Sequence, residues 1–214
     1  MRARALALAM LAACGRERPP SAPAAEMPYR AVASSAIGRI DGRVVFPEGT
    51  DPGDIVVWLD GVRAGKPVPL ARRYELDHAR GAFTPRAQAT LVGGALLVRS
   101  LDDTRFRVTF RDAVDDSALV SVDETGAGQV VPTARPLAHA GTVIASSDER
   151  PAARAWIYVF DQPYFARPDS AGRFAIDSVP AGAWRLRAWH PRLGARDTLV
   201  VVDSAGVAFA DVSY

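Results

Sequence analysis

The chain reads as an all-β protein, and three observations predict it. Gly and Pro are abundant and spread along the sequence, Val and Thr recur in short runs, and no long stretch beyond the N-terminus keeps a helical period. With 214 residues, 49% of them apolar, the chain can bury one sizeable core or two small ones.

The N-terminus stands apart from this pattern. It opens with Arg2 and Arg4, an apolar run from Ala5 to Ala13 and then Cys14. The run is too short to cross a bilayer and is flanked like a secretion signal. Leu11-Ala12-Ala13-Cys14, followed by Gly15, resembles the bacterial lipobox. That resemblance implies a signal peptide over residues 1–13 and diacylation of Cys14, with more than one acyl chain giving a stable anchor. Loss of residues 1–13 removes Arg2 and Arg4, so the formal charge falls from +2 to zero. The remaining arginines alternate with Asp and Glu without a basic stripe, which argues against a nucleic-acid partner. Cys14 is the only cysteine, so a lipidated chain keeps neither a disulfide nor a thiolate ligand.

Residues 14–36 are rich in Pro, Ala and Ser without periodicity and read as the acylated cysteine and its tether. Short strand patterns follow, separated by Gly, Pro or Asp. In IDGRVVF, Ile40, Gly42, Val44 and Phe46 share a side, while DIVVWLDGV is a near-continuous apolar run. RFRVTFR sets Phe106, Val108 and Phe110 against Arg105, Arg107, Thr109 and Arg111, the mark of a half-buried strand. ARAWIYVF, GRFAIDSV, AWRLRAW, DTLVVVD and VAFADVSY come at the close spacing of sandwiches. Asp-Ser-Ala-Gly occurs at 169–172 and 203–206, predicting two tight turns with Gly at positive φ.

Two longer segments resemble known families. Gln162 to Gly194 carries Gly172, Arg173, Phe174, then Val179-Pro180-Ala181-Gly182, then Trp189-His190, and resembles the carboxypeptidase regulatory-like family. This implies a small transthyretin-like β-sandwich, often described as a carbohydrate-binding-like fold, and generally no catalysis. Leu76 to Val108, with Phe83-Thr84-Pro85, and the later Ala155 to Ala166 resemble plastocyanin-like cupredoxins of bacterial periplasms. The expected architecture is therefore a cupredoxin-like Greek-key sandwich over 37–160 and a transthyretin-like sandwich over 161–214. The opening segment, residues 37–62, can belong to either.

The cupredoxin resemblance also locates four ligand positions. Registered on Asp102 and Val108, Phe106 stands where the first histidine is expected; registered on Pro151 and Ala155, Ser147, Arg150 and Ala153 stand at the cysteine, histidine and methionine positions. A blue-copper centre needs two imidazoles and a thiolate, usually with a weak axial thioether. These four residues cannot supply that set, so no copper and no other cofactor is expected. His78, His139 and His190, with Met27 in the tether, offer a substitute set only if the fold gathers them. Asp102-Asp103 and Asp115-Asp116 lack the alternating oxygen-ligand spacing of a calcium loop and read as turn residues.

No G-x-S-x-G, H-E-x-x-H, P-loop or G-x-G-x-x-G pattern occurs in a catalytic context, so an enzyme is not expected. In AWRLRAW, alternation places Trp184, Leu186 and Ala188 on one face and Arg185, Arg187 and Trp189 on the other. That second face is a candidate binding surface, or else Trp189 caps an edge of the core. The expectation is a non-enzymatic binding or scaffolding module of the bacterial envelope, lipid-anchored and facing the periplasm or the exterior. Its partner would be an envelope protein or a glycan. The alternatives are a periplasmic copper or electron-transfer protein and a glycan-binding module.

Overall fold

The computed structural model describes residues 29–32, 35–69, 73–103, 105–124 and 126–214. Cys14, the lipobox and Met27 lie outside them. In chain order the strands are β1 (Arg30–Ala31), β2 (Ile37–Val45), β3 (Val56–Asp60), β4 (Ala64–Gly65), β5 (Arg73–Ala79) and β6 (Ala82–Thr84). β7 (Ala87–Leu91), β8 (Ala95–Ser100), β9 (Phe106–Asp112), β10 (Ala118–Glu124), β11 (Val130–Pro132) and β12 (Gly141–Ser147) follow. The last are β13 (Arg154–Phe160), β14 (Phe165–Ala166), β15 (Arg173–Pro180), β16 (Gly182–His190), β17 (Gly194–Val202) and β18 (Val207–Ser213). A 3-10 turn, Pro52–Asp54, leads into β3, and the protein is all-β as the composition predicts.

Two sandwiches result. In the middle one, a five-stranded sheet ordered β10-β9-β12-β13-β7 faces a four-stranded sheet ordered β11-β8-β5-β6. Its core holds Leu76, Phe83 and Leu96 from the smaller sheet against Val108, Phe110 and Ile157 from the larger. In the second sandwich, β14-β3-β16-β17 faces β15-β2-β18, closing over Ile40, Val57, Leu186 and Val200.

The opening segment pairs with the C-terminal strands. β2 lies between β15 and β18, antiparallel to the first and parallel to the second, and β3 lies between β14 and β16. Residues 37–60 are thus strands of the second sandwich, and the middle sandwich takes up the chain from β5 onward. Gly42 shows why β2 suits this place: a Cβ there would run into the Phe174 ring and the Ala210 carbonyl, so only a bare backbone lets that ring reach the core.

The apolar run of β3 has a specific cause. Val57 and Leu59 point into the core of the second sandwich, whereas Val56 and Trp58 point out of it into a seam between the sandwiches. β13 does the same from the other side, sending Ala155, Ile157 and Val159 inward and Tyr158 and Phe160 to the seam. Trp189, Ala87, Ala89 and Leu91 complete it, with Trp156 and Phe165 packed against it. A strand buried on both faces loses the apolar-polar alternation of a half-exposed one. A polar clamp flanks the seam: the buried Asp54 carboxylate accepts from the Arg86 backbone N–H at 2.6 Å and from Arg86 Nε at 2.7 Å.

The two Asp-Ser-Ala-Gly segments are turns, but not identical ones. In the first, Gly172 has φ of 78° and its N–H reaches the Asp169 carbonyl at 2.9 Å. In the second, Ala205, not Gly206, takes the left-handed conformation, with φ of 57°. The Ala205 N–H donates to the Ile37 carbonyl at 2.7 Å, which ties this turn to β2.

Candidate functional site

The four predicted ligand positions come together at one end of the middle sandwich. Ser147 ends β12 opposite Val108 of β9, and the Asp148 N–H donates to the Arg107 carbonyl at 2.9 Å just beyond. That pairing sets the 147–153 turn beside Phe106, the first residue of β9. Ala153 closes the turn, its N–H donating to the Arg150 carbonyl at 2.8 Å.

The site is filled with apolar atoms. Phe106 is 2% exposed, and the Arg150 guanidinium carbon lies 5.9 Å from its ring centroid, a cation-π arrangement. The stem of Arg150 runs over Gly81, where a Cβ would collide with it; Gly81 also has φ of 73°. Beneath Phe106 lies His78, fully buried, its ring 4.6 Å from Phe106 edge-on and 4.7 Å from Phe83. Ser147 is buried and its Oγ donates to Glu149 Oε2 at 3.3 Å. The Glu149 carboxylate also accepts from the Arg107 N–H at 3.0 Å, which ties the turn to β9.

This donor set does not fit copper. Phe106 and Ala153 offer no lone pair, the Ser147 hydroxyl is a poor match for a thiolate position, and the Arg150 cation repels a metal. One imidazole, His78, adjoins the site. His139 lies in a separate cleft of about 260 Å³ with Leu119, Leu137 and Val143, and His190 ends β16 in the second sandwich. Among the described residues, no group of three or more His, Cys, Asp or Glu side chains could hold a metal ion.

His190 has its own constraint. Its Nδ1 accepts from the backbone N–H groups of Arg192 and Leu193, at 3.1 and 3.2 Å, which leaves the proton on Nε2. Burial holds its pKa below the usual imidazole value, opposed in part by the nearby Asp54 carboxylate. The paired aspartates are turn residues: Asp102 Oδ2 accepts from the Arg80 N–H at 2.5 Å, and Asp115 Oδ1 from the Ser117 N–H at 2.9 Å.

The surface expected from Arg185, Arg187 and Trp189 is not one surface. Trp189 is 4% exposed, closed edge-on by Trp156 at 5.5 Å and by Tyr158 at 5.2 Å. The alternation set it opposite Leu186 correctly, but the middle sandwich covers that side. Arg185 is exposed and pairs with Asp197 at 2.9 Å, and the half-buried Arg187 pairs with Asp60 at 3.0 Å. A sugar ring therefore has no indole to stack on here. Sequence reasoning passed over a different aromatic, Phe209. In VAFADVSY, Ala208, Ala210 and Val212 take the core side and leave Val207 and Phe209 outward, so the same period-2 argument could have found it.

Comparison with solved structures gives similarities over part of the chain. Amicyanin from Paracoccus versutus is 14% identical over 44% of this chain and 85% of its own, with a TM-score of 0.36. A purple cupredoxin from Nitrosopumilus maritimus is 11% identical over 40% of this chain and 98% of its own, with a TM-score of 0.33. A reduced amicyanin mutant is 18% identical over 41% of this chain and 82% of its own, with a TM-score of 0.35. No family model and no curated protein matches the chain. Likenesses of this extent assign the chain to no family.

Proposed function

We propose that the protein is a non-enzymatic binding or scaffolding module of the bacterial envelope, tethered through an acylated Cys14, whose cupredoxin-like middle sandwich has given up copper. The observation that carries this reading is the packing at the four ligand positions. Phe106 occupies the core with Arg150 across its ring and His78 against its edge. An aromatic ring buried where ligands would otherwise stand stabilises the sandwich by about 1.5–3 kcal/mol without a metal. The seam supports a scaffolding role in that it joins the two sandwiches through one buried aromatic cluster.

The test is copper titration of the full chain in detergent, followed by equilibrium dialysis and visible absorption. The expected result is no uptake near one equivalent and no intense charge-transfer band. Tight one-equivalent binding that is lost in His78→Ala, His139→Ala or His190→Ala would restore the electron-transfer reading.

A further inference from the structure

The outward face of the β15-β2-β18 sheet holds side chains that the proposed function does not use. Its central strand presents Arg39, Asp41 and Arg43, and β18 presents Val207, Phe209 and Asp211 opposite them in register. Phe209 is 82% exposed, the highest value among the large hydrophobic residues described, and Ile37, Val45 and Val207 are also exposed on this face. Phe209 lines an open concavity of about 680 Å³ together with Gly42, Ala166, Arg167, Arg173 and Ala175.

The charges on this face divide into two kinds. Arg39 is spent on Asp41 and Asp177, both at 2.5 Å, and Arg173 on Asp169 at 2.9 Å. Arg43 and Asp211 are exposed cross-strand neighbours, and neither makes an ion pair among the described residues. One face thus carries a protruding ring, a concavity beside it, one uncommitted cation and one uncommitted anion. A face holding both halves of each contact is self-complementary under a two-fold axis.

We infer that this face binds a second copy of the chain, each Phe209 ring entering the concavity of the other and each Arg43 pairing with Asp211 across the axis. Within the concavity the ring meets the apolar Ala166 and Ala175 and can lie against the Arg173 guanidinium. Three strands about 4.8 Å apart and about 25 Å long give a footprint of about 400 Å² per copy before the 167–173 loop is added. Two such footprints bury about 800 Å² in total, less than the roughly 1,200–2,000 Å² of stable complexes, so the dimer is a transient one.

The test is sedimentation equilibrium of the full chain in density-matched detergent across the micromolar range. The wild type is expected to move from one to two chains as concentration rises, and Phe209→Asp to stay at one chain with an unchanged circular dichroism melt, since this side chain touches no core. Arg43→Asp is expected to weaken the dimer at least tenfold, and Arg43→Asp with Asp211→Arg to restore it. A wild type that stays monomeric throughout, as it would if the face served a glycan or another protein, overturns the proposal. So does a dimer that survives Phe209→Asp. Neither result bears on copper binding, which the titration reads separately.

Discussion

Trp189→Ala tests the seam directly. Trp189 is 4% exposed and makes edge-on contacts with two other rings, so truncation removes a full indole from between the sandwiches and leaves a cavity that strands β3 and β13 cannot close. Burying about 150–250 Å² of such a ring is worth about 4–6 kcal/mol at 25 cal/mol per Å², and measured Trp-to-Ala losses run at about 3–5 kcal/mol. We take the mutational range, which for a chain of this size corresponds to a fall of about 6–20 °C in Tm. Trp58 and Trp156 also belong to the seam, leaving Trp184 as the one indole away from it, so tryptophan fluorescence reports mainly on the join. Urea unfolding followed by fluorescence and by far-ultraviolet circular dichroism should give coincident curves for the wild type. In the variant the fluorescence midpoint should fall first. A loss under about 0.5 kcal/mol, the scale of an exposed substitution, would refute the reasoning and return Trp189 to the surface.

Three further outcomes are expected. Because burial depresses the His190 pKa, the unfolded chain takes up its proton first; stability is complete above about pH 6.5 and declines as pH falls through the folded value, and a urea midpoint that falls between about pH 7.5 and about pH 5 in the wild type should fall less in His190→Gln. Gly42→Ala forces a methyl group into the Phe174 ring and should cost about 1–3 kcal/mol by thermal denaturation; an unchanged melt would show that the ring can move aside. Cys14→Ser should abolish incorporation of a fatty-acid analogue, and undiminished label would remove the anchor from the proposal.

Much of the strand pattern was legible because period-2 alternation is local. Phe106, Val108 and Phe110 turn inward together, and β18 splits its apolar residues as alternation requires. What covers an outward face is not local. The run Ile55–Leu59 was visible as near-continuously apolar, yet nothing in it named Tyr158 and Phe160 as the covering layer. The same gap left Trp189 open between a binding surface and a cap on the core; its side was read correctly, and the middle sandwich makes it a buried cap. For β2 the sequence left two partners open, the middle and the C-terminal sandwich, and the structure takes the second, with strands more than a hundred residues away supplying both neighbours. At the candidate site, register alone placed Phe106, Ser147, Arg150 and Ala153; Arg150 lies over the Phe106 ring, and Ser147 and Ala153 bound the turn that carries it. The approach of His78 depends on how β5 crosses the opposite sheet, which no spacing in the sequence encodes.

The interleaving of the second sandwich bears on how the chain comes into being. β2 and β3 emerge early from any vectorial synthesis or export, yet β14, β15, β16 and β18, the strands that cover their edges, follow only after the whole middle sandwich. About 100 residues at about 5–20 residues per second is a wait of about 5–20 s, during which Val56 to Leu59 have neither a sheet nor a seam. The middle sandwich is the first unit able to complete a core, and its β13 and β7 then offer β3 a surface to rest on. Once folded, it can cover a hydrophobic strand until the last fifty residues arrive.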